Sequence, residues 1–107
     1  MTAQMVCAIT DVAPGAVIEA EVYQAEVKTP LAIARDNDGG WHAIDGYCTH
    51  DKIPLAEGEV IGCEIECWAH GARFNLNTGE ATLPAVDPVK VYSLNLTDEL
   101  VLVDPSS

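Results

Sequence analysis

Apolar and polar residues alternate along much of this chain in short runs. Residues 16–23 and 59–66 alternate apolar with acidic or other polar residues, which is typical of a strand with one buried face. Further short apolar runs bounded by turn residues predict strands at 4–9, 31–35, 41–44, 72–76, 86–96 and 100–103. No window shows the 3.6-residue apolar stripe of a helix. The pattern predicts an all-β protein, either a sandwich or a barrel-like domain of antiparallel strands.

Turn residues predict where these strands are joined. The run Asn37-Asp-Gly-Gly40 is a strong hairpin signal between strands 31–35 and 41–44. Asn77 and Gly79 supply residues that tolerate positive φ, and Thr97-Asp-Glu99 predicts a last hairpin. Loops at the ends of hairpins are where a rigid β scaffold usually presents its functional residues.

Two short groups of metal-binding residues lie in such loops. The first is Cys48-Thr-His50, and the second, sixteen residues further on, is Cys67-Trp-Ala-His70. Thiolate and imidazole suit zinc or iron better than calcium or magnesium. A zinc finger keeps its cysteines together and its histidines together, whereas each group here holds one of each. This order favours a [2Fe–2S] cluster with two cysteines on one iron and two histidines on the other, the Rieske ligation. A structural zinc module with the same four ligands is an alternative.

The chain resembles the Rieske family, and within it the small soluble Rieske-type ferredoxins of bacterial multicomponent oxygenases. The resemblance extends from about residue 45 to residue 103. The matching residues are Cys48-Thr-His50, Cys67-Trp-Ala-His70-Gly71, Arg73-Phe74 and Thr78-Gly79.

The resemblance implies a fold, a cofactor and its ligands. The implied fold has antiparallel β-sheets and a small cluster-binding lobe, about residues 45–75, formed by two hairpin loops within one Rieske domain, 1–107. One [2Fe–2S] cluster per chain is implied. Its ligands would be Cys48 and Cys67 on the buried iron, and His50 and His70 on the outer iron. The implied fold therefore agrees with the all-β pattern.

Four positions distinguish this chain from the respiratory and photosynthetic Rieske proteins. Their disulfide cysteines are replaced here by Ile53 and Ala69, and two hydroxyl residues that bond sulfur are replaced by Ala72 and Phe74. Hydrogen bonds to sulfur stabilise the reduced state and raise the potential. We therefore expect a potential near the lower end of the roughly −150 to +300 mV Rieske range.

Charge and composition exclude several classes of protein. Seventeen acidic and five basic residues give a net charge of −12, which disfavours nucleic acid as a partner. The acidic surface would steer the protein toward basic patches on partners. No apolar run approaches the roughly 20 residues of a membrane span, and the first residues do not resemble a signal peptide. We expect a cytoplasmic monomer without a membrane partner.

Residues around the two loops invite more specific hypotheses. Trp68 is either an exposed contact for a partner or a lid packed over the cluster. Gly71 is expected to adopt an unusual backbone conformation, with its N–H donating to sulfur. An acidic docking rim of Asp45, Asp51 and Glu57 is a hypothesis.

Other candidate residues are expected to be structural. Lys52 and Arg73 are expected to be solvated or locally paired rather than to offset the charge of the cluster. His42 has no second ligand nearby in sequence, and Cys7 and Cys63 are expected to be buried free thiols.

The predicted function is one-electron transfer rather than catalysis. The resemblance implies a carrier that accepts electrons from an NAD(P)H-dependent flavoprotein ferredoxin reductase and delivers them to a terminal oxygenase of an aromatic dioxygenase system. A Rieske small subunit of an assimilatory nitrite reductase is the alternative within the same family.

Overall fold

A computed structural model of the chain describes residues 3–49, 53–68, 71–82 and 87–105. Within these residues it contains two 3-10 turns, Ile9–Asp11 and Leu55–Glu57, and nine strands. The strands are β1 Gln4–Ala8, β2 Val17–Gln24, β3 Val27–Arg35, β4 Trp41–Asp45, β5 Glu59–Ile61, β6 Glu64–Glu66, β7 Arg73–Asn75, β8 Val91–Leu96 and β9 Leu100–Asp104. No helix of the described segments has the length and apolarity needed to cross a bilayer. The all-β prediction is confirmed.

The strands form two antiparallel sheets. Six strands form the main sheet in the order β1-β9-β8-β4-β3-β2, and β5, β6 and β7 form a smaller one. Gln4 joins the two outermost strands of the main sheet: its Oε1 accepts from the backbone N–H of Tyr23 at 2.8 Å, and its Nε2 donates to the Tyr23 carbonyl. The main sheet therefore curls toward a closed barrel.

The second half of strand β3, residues 31–34, is buried on both faces and separates two cores. Leu31 and Ile33 point into the main core, whereas Ala32 and Ala34 point into the lobe core. The main core consists of Cys7, Val12, Val22, Leu31, Ile33, Ala43, Tyr92, Val101 and Val103. The lobe core consists of Ala32, Ala34, Ile44, Cys48, Leu55, Val60, Ile65, Cys67, Ala72, Phe74, Leu76 and Val89. Alanine on the lobe side of β3 leaves room for the small sheet to pack closely.

Three sequence expectations about the strands need correction. The predicted strand 59–66 is a hairpin, because Gly62 adopts φ +61° and the chain reverses between β5 and β6. Strand β3 begins at Val27 rather than at residue 31 and includes Pro30. Strand β8 begins at Val91, later than the predicted residue 86, which lies outside the described residues.

Candidate metal centre

The first ligand loop follows β4 and is closed at its base by backbone hydrogen bonds. The N–H of Cys48 donates to the carbonyl of Ile53 at 2.8 Å, and that of Leu55 donates to the carbonyl of Gly46 at 2.9 Å. The hydroxyl of Thr49 donates to the Asp87 carbonyl at 2.6 Å and ties the loop to the segment before β8. The loop is thereby anchored to the main sheet.

The second ligand loop joins β6 to β7 and is closed in the same way. The N–H of Cys67 donates to the carbonyl of Ala72 at 2.7 Å, so each loop is closed from a cysteine to the residue five positions later. Gly71 has φ +76°, as expected for a turn glycine. Its N–H donates to the Cys67 carbonyl at 3.0 Å, and the expectation that it donates to sulfur stays a prediction.

Both loops bring their cysteine into the same apolar environment. Cys48 and Cys67 are each 1 % exposed and belong to the lobe core. His50 and His70 lie outside the described residues. Two buried thiols on opposed loops of one lobe fit the cysteine half of a Rieske site, because thiolates are the ligands that iron–sulfur clusters require.

The residues next to the second loop are apolar or exposed. Ala72 and Phe74 are fully buried in the lobe core and bring no hydroxyl there. Trp68 is 59 % exposed, as an aromatic contact for a partner requires. Ile53 packs against the lobe core, and Ala69 lies outside the described residues.

The charged residues around the loops differ in their contacts and exposure. Arg73 pairs locally, with Nε 3.1 Å from Glu66 and Nη1 3.6 Å from Glu64, which confirms the expected local pairing. The hydrogen bond and charge of Glu66 raise the pKa of Arg73. Glu57 is exposed, whereas Asp51 and Lys52 lie outside the described residues.

Asp45 has a structural role. Its carboxylate accepts from the backbone N–H of Lys90 and from the hydroxyl of Tyr92, both at 2.8 Å. Burial, followed by the hydrogen bond and charge of Asp45, raises the pKa of Tyr92. These two bonds join the end of β4 to the start of β8 beside the first loop. Asp45 also lines an open groove at this end of the molecule, and its part in a docking rim stays a prediction.

An open groove runs beside the first loop. It has a volume of about 570 Å³, and its lining includes Thr29, Pro30, Tyr47, Thr49 and Asp87. Tyr47 is 45 % exposed at this groove. An exposed aromatic ring next to the buried Cys48 gives this end of the molecule a surface suited to a protein partner.

A second group of potential metal ligands was not predicted from the sequence. His42 Nε2 lies 2.8 Å from Asp36 Oδ2, and the Sγ of Cys63 lies 3.9 Å from each of these atoms. Cys7 is buried as expected, whereas Cys63 is only half-buried and has polar neighbours. Only the short spacing between Asp36 and His42 could have indicated a pair, since Cys63 is far away in sequence.

Comparison with known proteins identifies the class to which this fold and this pair of cysteines belong. Residues 2–93 match the Rieske [2Fe-2S] domain. The chain belongs to this family and holds a Rieske-type [2Fe–2S] cluster as its cofactor.

The most informative relatives are ferredoxins. The chain is 35 % identical over 99 residues to ferredoxin CarAc of Metapseudomonas resinovorans, covering 92 % of this chain and 89 % of the relative. It is 30 % identical to the ferredoxin component of a naphthalene 1,2-dioxygenase system from Pseudomonas putida, covering 92 % and 95 %. Among solved structures, the chain is similar to one chain of a complex of reduced oxygenase and oxidized ferredoxin in carbazole 1,9a-dioxygenase. The TM-score is 0.80 and the identity 33 %, and the match covers 94 % of this chain and all of that one.

Proposed function

We propose that the protein is the electron-carrying ferredoxin of an aromatic dioxygenase system. In this proposal the whole chain, 1–107, acts as one Rieske domain with its cluster-binding lobe at residues 45–75. Cys48 and Cys67 hold one iron, and His50 and His70 hold the other. The observation that carries the proposal is the burial of both cysteines, at 1 % exposure, on two loops with the same closing hydrogen bond.

The described residues give the carrier a sheltered site on a rigid support. When bound, the cluster takes up and releases one electron, and the chain supplies position, burial and electrostatics. The lobe core keeps water from Cys48 and Cys67, and the loop-closing hydrogen bonds limit the movement of both thiols. A site that changes little between its oxidised and reduced forms suits rapid electron exchange.

The proposed partners are a flavoprotein ferredoxin reductase that draws electrons from NAD(P)H and a terminal Rieske oxygenase. The relative seen in complex with an oxygenase supports the second partner. Exposed Tyr47 and Trp68 provide aromatic surface near the two loops, and aromatic residues are enriched at protein interfaces. Docking would be transient and steered by the charge of −12.

Spectroscopy of anaerobically purified protein tests the proposal. We expect visible bands of a [2Fe–2S] centre, a rhombic EPR signal after dithionite reduction and two irons per chain. Cys48→Ser and Cys67→Ser should each lose these signals, while Cys7→Ser, which changes a buried thiol of the main core, should keep them. A colourless wild-type protein holding zinc would contradict the proposal and support the zinc module.

Reconstitution separates the carrier from the nitrite-reductase alternative. The reduced protein should support turnover of an aromatic-ring dioxygenase in the presence of NAD(P)H and a ferredoxin reductase. Stable co-purification with a large nitrite-reducing subunit, together with no oxygenase turnover, would overturn the carrier assignment.

A further inference from the structure

Asp36, His42 and Cys63 meet where the small sheet contacts the main sheet. Asp36 lies in the β3–β4 turn, His42 in β4 and Cys63 in the β5–β6 turn, and their ligand atoms all lie within 4.8 Å of one another. We propose that these three side chains form a second metal site, distinct from the ligand loops, which binds one thiophilic divalent cation such as Zn²⁺. We call it the junction site. The inference goes beyond the electron-carrier function.

The distances between the three ligand atoms are close to those around a tetrahedral zinc. Zinc bonds are ~2.3 Å long to sulfur and ~2.0–2.1 Å long to nitrogen or oxygen. Around a tetrahedral zinc, the sulfur would therefore lie roughly 3.6 Å from the nitrogen and from the oxygen, and the nitrogen would lie roughly 3.3 Å from the oxygen. The observed separations are 3.9 Å for each sulfur contact and 2.8 Å for nitrogen to oxygen. Movements of about half an ångström or less would complete the geometry.

Neighbouring groups already hold the ligands in place. The Oδ1 atom of Asp36 accepts from the N–H groups of Asp38 and Gly40 at 2.9 and 2.8 Å, which leaves Oδ2 directed at His42. Asn77 Nδ2 donates to the sulfur of Cys63 at 3.2 Å, the type of contact that supports a metal-bound thiolate. The site is therefore supported by a surrounding set of hydrogen bonds.

The β5–β6 turn that carries Cys63 is itself fixed to the opposite hairpin. The N–H of Gly62 donates to Asn37 Oδ1 at 2.6 Å. The side chains of His42 and Asp36 are only 10 % and 13 % exposed, so most of the site is shielded from water. An open coordination position would be filled by water, as in a three-ligand zinc site.

The chemistry of the ligands selects the metal. One thiolate, one imidazole and one carboxylate form a borderline-soft set that favours Zn²⁺ over Ca²⁺ or Mg²⁺. Burial, with the charge of Asp36 next in importance, raises the pKa of the Cys63 thiol. Because sulfur coordinates zinc as the thiolate, metal binding has to displace this proton and strengthens as pH rises.

A metal at this junction would act as a clamp. It would link the β5–β6 turn of the lobe to the β3–β4 hairpin of the main sheet, in addition to the hydrogen bond between Gly62 and Asn37. The lobe carries Cys67, and the main sheet leads directly into the loop of Cys48. Occupancy would thus fix the relative position of the two ligand loops.

Zinc titration of the cluster-loaded protein tests the junction site. The holoprotein, first freed of adventitious metal with EDTA, is titrated with ZnCl₂ in excess Mg²⁺ by calorimetry, and zinc and iron are then counted by mass spectrometry. We expect one zinc per chain with unchanged iron content. Cys63→Ala and His42→Asn should each weaken binding at least about tenfold, while Cys7→Ser should bind zinc like the wild type.

Zinc-edge X-ray absorption distinguishes this site from the cluster ligands. A first shell with one sulfur and the remaining ligands nitrogen or oxygen is expected. A shell with two sulfurs, or zinc uptake accompanied by loss of iron, would assign the zinc to Cys48 and Cys67 and overturn the proposal. The proposal would also be overturned if the wild type bound zinc no more tightly than Cys63→Ala and His42→Asn do. The visible cluster spectrum of each variant shows that it is folded.

Discussion

By the resemblance described above, Ala72 and Phe74 stand where the respiratory and photosynthetic Rieske proteins carry hydroxyl groups. Both side chains are fully buried in the core that also holds Cys48 and Cys67. A hydroxyl introduced at residue 72 would donate to cluster sulfur, and donation to sulfur stabilises the reduced state. We therefore expect Ala72→Ser to raise the midpoint potential by tens of millivolts, as measured by EPR-monitored redox titration.

Matched variants separate the hydroxyl effect from repacking. Ala72→Gly also changes the buried volume but brings no donor, so its potential should stay near that of the wild type. Phe74→Tyr should raise the potential, whereas Phe74→Leu should not. An unchanged potential in both hydroxyl variants, with intact clusters, would refute this explanation of the expected low potential.

The hydrogen bond between Tyr92 and Asp45 predicts a pH dependence of stability. Because burial and Asp45 raise the pKa of Tyr92 above its ordinary value of 10.0, the folded protein keeps this proton after the unfolded chain has lost it. The stabilisation is fully present below pH 10.0 and is lost as pH rises above it. Near neutral pH, Tyr92→Phe should cost about 1.5–3 kcal/mol, the contribution of a hydrogen bond to a charged group.

Urea unfolding of wild type and Tyr92→Phe between pH 7 and pH 11 measures this effect. The stability difference between the two proteins should shrink above pH 10 by about 1.4 kcal/mol per pH unit. Tyr23→Phe is a suitable control, because the Tyr23 side chain is 54 % exposed. A difference that stays constant up to pH 11 would show that Tyr92 does not titrate in this way.

At the residue scale, the sequence was most informative where ligands lie close together in the chain. The motifs Cys48-Thr-His50 and Cys67-Trp-Ala-His70 could be identified directly. The contact between Cys63 and His42 could not be identified from the sequence, because it depends on how two hairpins pack. The structural role of Asp45 could not be predicted for a similar reason: its partners Lys90 and Tyr92 are more than forty positions away.

Among the structural elements, the β2–β3 hairpin has an unfavourable turn. Ala25 and Glu26 have φ values of 51° and 68°, which residues with a Cβ adopt at a cost of roughly 1 kcal/mol each. An Asn-Gly pair is preferred in such two-residue turns. The double variant Ala25→Asn, Glu26→Gly should therefore stabilise the protein by about 1 kcal/mol in urea unfolding.

A charge control accompanies this prediction. Glu26→Ala removes the same negative charge but retains a Cβ, so it should leave the stability nearly unchanged. If Glu26→Ala stabilises the protein as much as the double variant, charge rather than backbone strain is the cause.

The small sheet has its own steric requirement at Gly58. A Cβ at this position would lie only 2.1 Å from the carbonyl oxygen of Glu66, the residue before Cys67. Gly58→Ala must displace the strand that leads into the second ligand loop. We expect several kcal/mol of destabilisation and a lowered iron content per chain.

Gly62→Ala is the matched control. Gly62 has φ +61°, but a Cβ there would meet nothing within 4 Å. Its cost should be about 1 kcal/mol, with full retention of iron. Equal losses of iron in the two variants would contradict the steric explanation.

A hairpin could be predicted from the sequence where glycine and asparagine mark its turn. Asn37-Asp-Gly-Gly40 was found because glycine and asparagine mark the turn. The β2–β3 turn lacks both residues, so the first part of β3 was missed. The β5–β6 turn was missed because its flanking residues continue the alternation of a single strand, and only packing onto the lobe core decides where the chain reverses.

For the molecule as a whole, the first ligand loop lies at one end of the main sheet, and its Cys48 shares the lobe core with Cys67 of the second loop. Strand β4 leads into the first loop at Asp45, whose backbone N–H bonds to the carbonyl of Lys90 just before β8. The turn 97–99 follows the other end of β8. Acidic residues are present at both ends of the sheet. Two variants with the same net charge can therefore be compared, one that loses charges near the first ligand loop and one that loses charges far from it.

The last prediction compares these two ends in electron transfer to the oxygenase. Glu57→Gln with Asp87→Asn removes two exposed charges near the first loop, and Asp98→Asn with Glu99→Gln removes two exposed charges at the opposite end. If docking uses the loop end, the first pair should slow second-order transfer severalfold at low salt, while the second pair should have little effect. The difference should vanish near 1 M salt, where the screening length falls to about 3 Å. Equal slowing by both pairs in stopped-flow measurements would show that net charge, rather than an acidic loop end, steers the encounter.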